Sequence, residues 1–505
     1  PKIERLKPTS PRFLNSLVLW RTVAAMTNAP SHLEPLGHSP ISTGFFDRHL
    51  EGFLLKRNNG TVIMRLFLKP FTAQNKVFHT MHPPIPDRQR RYTLFVLVLV
   101  FTSSHIDRQI MGILGQPIKE SLLISDTQLG LLTGIMFAVF YATLGMPMAM
   151  WADRHNRRNL ISFSVFLWSL MTALCGAAAN FTQLLLFRIG VGVGEAGSNP
   201  PSHSMIADLY PPAQRATAMA IFGTGINWGI LLGFLLGGWI NEWFGWRTAF
   251  VVVGLPGILL AALVRFTVIE PPRGYSEAKT SPVIPPGFWE VVRFMWRNKV
   301  LRHVVAAGAL ITFTGYASII WIPIYLVRIH EMGTGEVGSY LALMIGLGGA
   351  LGIYLGGRLA DFLSARHGEH WLPWIVAIAN LIAAPLLYLS FTAETPMGAI
   401  AAYIIPAMLG TVYVAPGFAL IQNQTPVEMR SVAAAINLFI TNIIGLGLGP
   451  FSVGFFSDYF ATDYGQDGLR YGLMTTLVMI AWGIYHYYRC GQLIRSKASG
   501  YVSAT

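Results

Sequence analysis

Arg188 and Glu195 stand seven residues apart in LLLFRIGVGVGEAGSNPPSHSMIADLY (184–210), a stretch otherwise apolar enough and long enough to cross a bilayer. A charged group at that depth costs several kcal/mol unless it faces protein or a water-filled cavity, so such groups mark a pathway. Seven residues is close to two helical turns, which places both side chains on one face. A second pair, Asp107 and Arg108, lies inside the first apolar stretch. Burial raises the proton affinity of a carboxylate and a nearby arginine lowers it, so a pair that opens and closes switches that affinity. These residue types at this spacing suit proton-linked carriage of a solute.

The elements that hold them are set by composition. Of 505 residues, 53% are hydrophobic and only 12% charged, with a mean hydropathy of +0.48; an average soluble domain carries roughly 25% charge. The chain therefore belongs in a bilayer. The net charge of +13 would suggest nucleic acid on a soluble protein, but residues 1–91 hold fourteen Lys/Arg against five Asp/Glu. No nucleic-acid partner is expected. Cys175 and Cys490 form neither a disulfide framework nor a zinc site, and no metal or cofactor motif is present. Nucleotide-binding loops and nucleophile triads are also missing from the sequence, which argues against an enzyme.

Apolar segments of about 20 residues, the length that spans the hydrocarbon core, recur twelve times. They fall near 92–114, 128–151, 159–179, 183–207, 215–240, 247–269, 301–327, 337–362, 371–391, 397–421, 431–457 and 469–489. Alternate connections carry Arg154, Arg157, Arg158, Arg215, Arg273, Arg366 and Arg430, and the opposite ones carry Glu331, Glu336, Glu394, Asp458, Asp463 and Asp467. Lys and Arg concentrate on the cytoplasmic side, so both termini are expected there, in the inner membrane if the source is bacterial. Residues 270–300 read as a proline- and glycine-rich cytoplasmic linker ending in an amphipathic helix, FWEVVRFMWRNK (288–299). The linker separates an N-terminal half (92–269) from a C-terminal half (301–490), and 491–505 reads as a cytoplasmic tail. The halves echo each other: AMWADRHNRR (149–158) matches GRLADFLSAR (357–366), and ADLYPPAQRATAMA (207–220) matches NQTPVEMRSVAAA (423–435). Two six-helix halves of one all-α membrane protein follow. Residues 1–80 read as a poorly structured extension, either a disordered cytoplasmic tail or, the favoured reading, an upstream extension of the reading frame with Met81, just before a basic flank, as the natural start.

At this point the chain resembles the major facilitator superfamily, whose fold is twelve helices in two six-helix halves. Its loop motif G-x-x-x-D-R/K-x-G-R-R/K-R/K is met by Asp153, Arg154, Arg157 and Arg158, with Ala149 and Asn156 in place of the two glycines. Within that superfamily, 192–222, GWRTAFVVVGLPG (245–257), VIEPPRG (268–274) and IDR (106–108) look like the spinster-like transporters, although Ser104 and His105 stand where those carriers have Asn and Tyr. The resemblance implies an alternating-access carrier. It further implies that Asp107 and Glu195 are proton-linked, that lysolipids and sphingoid lipids are candidate substrates, and that the Asp153 loop is an ion-pair latch.

Rise along a helix places Asp107 about 22 Å from the cytoplasmic end of the first span, and Arg188 and Glu195 about 7 and 18 Å from the external end of the fourth. Asp107 and Arg188 are then level and expected to pair, with Arg108, about 100° round the helix, either sharing in coupling or substrate contact or serving to pack or snorkel instead. The alternative is that these charges only lock helices together. Asp153, Arg154 and Arg157, echoed by Asp361 and Arg366, are expected to gate. Asn227, Tyr316, Trp321, Tyr325, Asn437 and Asn442 are candidates to line the cavity. Gly225, Gly229, Gly233 and Gly237 are expected to pack a helix, and Phe234 stands where a drug antiporter's motif needs proline. The expected protein is a monomeric secondary transporter moving an amphipathic lipid-like or organic-anion substrate together with protons, surrounded by membrane lipids. A sugar-acid carrier and an uncoupled lipid facilitator or receptor remain the alternatives.

Overall fold

The computed structural model describes residues 4–6, 50–58, 61–68, 85–276 and 287–502, in two units, 1–83 and 84–505. In the first unit, where no ordered structure is expected, β1 (Glu4–Leu6), β2 (Leu50–Asn58) and β3 (Thr61–Leu68) form an antiparallel sheet. Asn58 pairs with Thr61, so the residues between them are Asn59-Gly60, a strong two-residue hairpin signal.

The second unit is helical. Nine of its helical segments are long and apolar enough to cross a membrane among the described residues. Two of the nine are double: Pro212–Thr267 turns at Gly245, and Val427–Lys497 turns at Gly465–Asp467. A further crossing, Phe181–Ala196 continued by Asn199–Leu209, is interrupted and charged. Twelve crossings result. In chain order they are Asp87–Ile113, Asp126–Arg154, Arg157–Cys175, 181–209, 212–244, 246–267, Lys299–His330, Thr334–His367, Trp371–Thr392, Pro396–Asn423, 430–464 and Gly468–Val502. The last helix continues through most of the expected tail. Gly245 makes the sharp turn between the fifth and sixth spans at φ +81°, a conformation that a side chain resists.

Three features of the sequence build the packing. Ser125 and Gln128 form a capping box at the start of the second span, and Asn156 and Asn180 cap the third and fourth by accepting from Asn159 and Gln183 main-chain N–H groups at 2.9 and 3.0 Å. The glycine stripe of the fifth span lies on the first: Gly225 faces Phe101, Gly229 faces His105, Gly233 faces Gln109 and Gly237 faces Ile113. A Cβ at Gly229 would stand 2.3 Å from that of His105, so small residues let the two backbones meet. Large apolar side chains such as Trp228, Leu259, Leu381 and Val478 point outward, as lipid contact requires. The amphipathic helix forms over Phe288–Arg297, burying Val291 and Met295.

The second, fourth and fifth spans are broken at Gly134, Gly197–Ser198 and Thr224. The eighth and eleventh carry π-helical turns over Ala342–Leu347 and Asn442–Leu448, and the tenth unwinds at 410–413. By contrast, the third, sixth, ninth and twelfth run as single helices. The discontinuities therefore fall on equivalent helices of the two halves.

Candidate functional site

Ser104 and Arg108, one turn apart, share a face of the first span. Both meet Glu195: Ser104 Oγ donates to Oε2 at 3.0 Å, and Arg108 approaches the same oxygen through Nε at 2.8 Å and Nη2 at 2.7 Å. The Glu195 side chain has no exposure, whereas that of Arg108 keeps 13%. The guanidinium of Arg108 lies 4.5 Å from the ring centre of Tyr141 and 5.0 Å from that of Phe137, both on the second span. Tyr316 of the seventh span is within charge range of it, so Arg108 stands where the halves face each other.

Asp107 points elsewhere. It is flanked by Trp168 and Thr172 of the third span, with Glu195 and Arg188 the nearest charges, and its Oδ1 has no hydrogen-bond partner. Arg188, 2% exposed, does not reach the carboxylate; its Nη1 donates to the main-chain carbonyl of Asp107 at 3.3 Å, its guanidinium lies 5.4 Å from the Phe137 ring, and its Nε is unpartnered. The expected Asp107–Arg188 ion pair is thus replaced by Arg108–Glu195. The physical reason is rotation: residue 108 projects about 100° from residue 107, toward the fourth-span carboxylate. Asp107, Arg188 and the second oxygen of Glu195 remain a buried, incompletely satisfied cluster, and such groups cluster where protons or ligands are exchanged.

At the end that holds Asp126, polar contacts join the halves. Asp126 accepts from Lys119 Nζ at 2.6 Å, from Arg328 Nη1 and Nη2 at 2.6 and 2.8 Å, and from Ser457 Oγ at 2.6 Å. The carboxylate of Asp458 accepts from the Asp126 and Thr127 main-chain N–H groups at 3.0 and 2.7 Å, so an acid from the second half caps a helix of the first. A Cβ at Gly454 would stand 2.2 Å from the Asp126 carbonyl oxygen. Thr334 and Gly335 of the eighth span donate to Glu242 beyond the fifth span's midpoint at 3.0 and 3.2 Å. Toward the opposite end, Gly145, one turn from Tyr141 on the same face, has open space where a Cβ would stand. The halves are closed at the Asp126 end and apart at the other.

Among the expected gating residues, Asp153, Arg154, Asp361 and Arg366 are exposed at that other end. Arg157 differs: its side chain has no exposure and ties the first half together, reaching Asp208 at 2.5 Å, Glu270 and Ser204 at 2.8 Å and the Pro271 carbonyl at 2.7 Å. Two cavity candidates are also structural. Trp321 donates to the Pro450 carbonyl at 2.8 Å, and Tyr325 donates to the Ser390 and Phe391 carbonyls at 3.1 and 3.2 Å. Both side chains are fully buried, because a ring with a polar tip inside a bundle is held where a carbonyl accepts from it. Tyr316, Asn227 and Asn442 are half-buried and Asn437 is buried, 8% exposed.

Twelve crossings in two related halves around a buried charge cluster describe one superfamily, and its family model matches residues 93–450. This chain belongs to the Major Facilitator Superfamily. Among major facilitators it is 35% identical over 386 residues to an MFS-type efflux pump of Mycolicibacterium smegmatis, covering 75% of this chain and 87% of that one. It is 27% identical over 395 residues to a probable galactarate/D-glucarate transporter of Bacillus subtilis, covering 72% and 85%. Its structure matches that of a bacterial homolog to the human lysosomal transporter Spinster, inward-facing and unoccupied, at a TM-score of 0.75 and 32% identity, covering 82% of this chain and 99% of that one. The expected spinster-like membership and membrane-embedded fold stand. The contact of Asp126 with Arg328 and Asp458 across the halves is not among the expected site residues; its signal in the sequence is that Asp126 and Arg328 stand at the edges of apolar spans.

Proposed function

We propose that this major facilitator is a proton-coupled secondary transporter that moves an amphipathic lipid-like or organic-anion solute by rocking its halves about the Asp107–Arg188–Glu195 cluster. The arginine-rich end is cytoplasmic on the positive-inside rule, so the conformation described is open to the cytoplasm. The observation that carries the reading is the Arg108–Glu195 contact beside Tyr141 and Tyr316, at the line where the halves separate. A proton taken by Glu195 cancels its charge and frees Arg108 to meet an anionic group of the solute. Loss of that proton draws Arg108 back and releases the solute. Asp107, with an unpartnered oxygen beside Arg188, supplies a second proton site linked to the first through shared charge. Asp153 with Arg154, and Asp361 with Arg366, come together as the cytoplasmic latch when that end closes.

Proteoliposomes under an imposed pH gradient test the proposal. Efflux or uptake of a lysophospholipid should accelerate with the gradient, and Asp107→Asn or Glu195→Gln should remove about tenfold or more of that acceleration. Flux indifferent to the gradient, and to both substitutions, would leave an uncoupled facilitator. A sugar-acid carrier is the second reading, favoured by two arginines near the centre and by the named substrate class of the Bacillus subtilis relative. Displacement of bound lysolipid by a hexuronate decides for it.

A further inference from the structure

A group of basic side chains lies outside the transport site, where the seventh and twelfth spans meet at their arginine-rich ends. His303 Nδ1 and His486 Nδ1 are 2.9 Å apart, with ring centres 4.9 Å apart. One imidazole must donate to the other at that distance, so the pair as it stands carries at most one extra proton. Arg302 and Arg489 are both within charge range of His303. Neither arginine has a carboxylate within ion-pair distance among the described residues; Arg302 lies 5.8 Å from the Trp296 ring centre, and Arg489 donates to Gln492 at 2.6 Å. Both are exposed on the outer surface, as are Trp296 and Trp482, at 72% and 54%, and the Trp482 ring centre is 6.0 Å from that of His486.

Depth and composition agree on the environment. Arg302 is three residues from the start of its span, and Arg489, 21 residues beyond Gly468, is about 31 Å along the twelfth helix. Both arginines therefore sit where hydrocarbon gives way to headgroups. Tryptophan favours that level. Two arginines from different helices, with no carboxylate in ion-pair distance among the described residues and with tryptophans nearby, present an exposed cationic patch whose complement is a phosphate attached to acyl chains.

We propose that this patch binds the headgroup of an anionic phospholipid of the surrounding leaflet, with Arg302 and Arg489 on the phosphate and Trp296 and Trp482 against the glycerol and upper chains. The site is separate from the transport pathway and does not depend on what is transported.

The test uses the full chain in nanodiscs of phosphatidylcholine containing a minor fraction of either brominated phosphatidylglycerol or brominated phosphatidylcholine, read by tryptophan quenching. The wild-type protein should be quenched several-fold more efficiently by the anionic brominated lipid. Arg302→Gln with Arg489→Gln should abolish the preference, while the paired lysine substitutions should retain part of it, because lysine keeps the charge but loses the planar fork. Retained native lipids read by mass spectrometry give a second measure that does not rely on fluorescence. Equal quenching by the two lipids, or a preference unchanged in the glutamine variant, would overturn the proposal. A glutamine variant that does not fold leaves the decision to the wild-type comparison and the lysine variant.

Discussion

Arg157 has no exposed side-chain surface and four acceptors drawn from the fourth span and the segment after the sixth. It sits in a loop motif in which Asp153 and Arg154 are exposed and Arg158 is half-buried. One motif therefore divides: Arg157 welds the first half into a body, while Asp153 and Arg154 stay exposed, as the proposed latch requires. Breaking a buried pair strands its partners, at a cost of about 3–5 kcal/mol. Arg157→Ala should accordingly lower the thermal unfolding temperature in detergent sharply, whereas Arg158→Ala, whose side chain bonds only to neighbouring Asn159, should change stability by about 0.5 kcal/mol or less. Equal effects would remove the distinction. The buried charges of the first and fourth spans were legible as types but not as partners. Burial of charge in an apolar stretch identified Asp107, Arg108, Arg188 and Glu195, but which carboxylate meets which arginine depends on helix rotation, which spacing within one helix does not reveal. Trp321 and Tyr325 were misread for a related reason, since an aromatic residue with a polar tip suits a cavity wall and a carbonyl in a neighbouring helix equally well.

At the scale of helices, hydropathy located each crossing, because the bilayer fixes the length of an apolar run, but not every end, since the twelfth helix runs on to Val502. It could not locate the breaks. Gly134, Thr224 and the two π-turns interrupt the second, fifth, eighth and eleventh spans, the helices that touch across the halves, and an interrupted hydrogen-bond ladder bends there. Contact across the halves relies on close backbone approach. A Cβ at Gly338 would stand 2.3 Å from the Phe234 carbonyl oxygen, so Gly338→Ala must push the fifth and eighth spans apart. Such overpacking costs about 1–3 kcal/mol in the conformer closed at the Asp126 end and nothing in the one open there. Spin labels at Leu123 and Asp463, both exposed and on opposite halves, should report a longer or second distance in the variant. An unchanged distribution would mean that the helix pair yields locally.

For the molecule as a whole, one carboxylate joins several elements: Asp126 binds Lys119, Arg328 and Ser457, and its own main-chain N–H is held by Asp458. Arg328→Ala removes the bidentate arm between the halves and should favour the conformer in which the opposite, arginine-rich end closes. A cysteine placed at Gly145, which faces open space, should then react with a membrane-impermeant thiol reagent about tenfold more slowly. Cys175 and Cys490 are buried and give little background. An unchanged rate would show that Arg328 does not hold the closed state. The thinness of this closed layer has an electrical consequence. Asp107 is six residues from the last residue of its span, about 9 Å along the helix, while the neighbouring Arg108 side chain retains some exposure. On the proposed role of Asp107, a proton reaching it from the Asp126 end crosses that short low-dielectric stretch, and a charge moved through the full field gains or loses about 2.3 kcal/mol for each 100 mV.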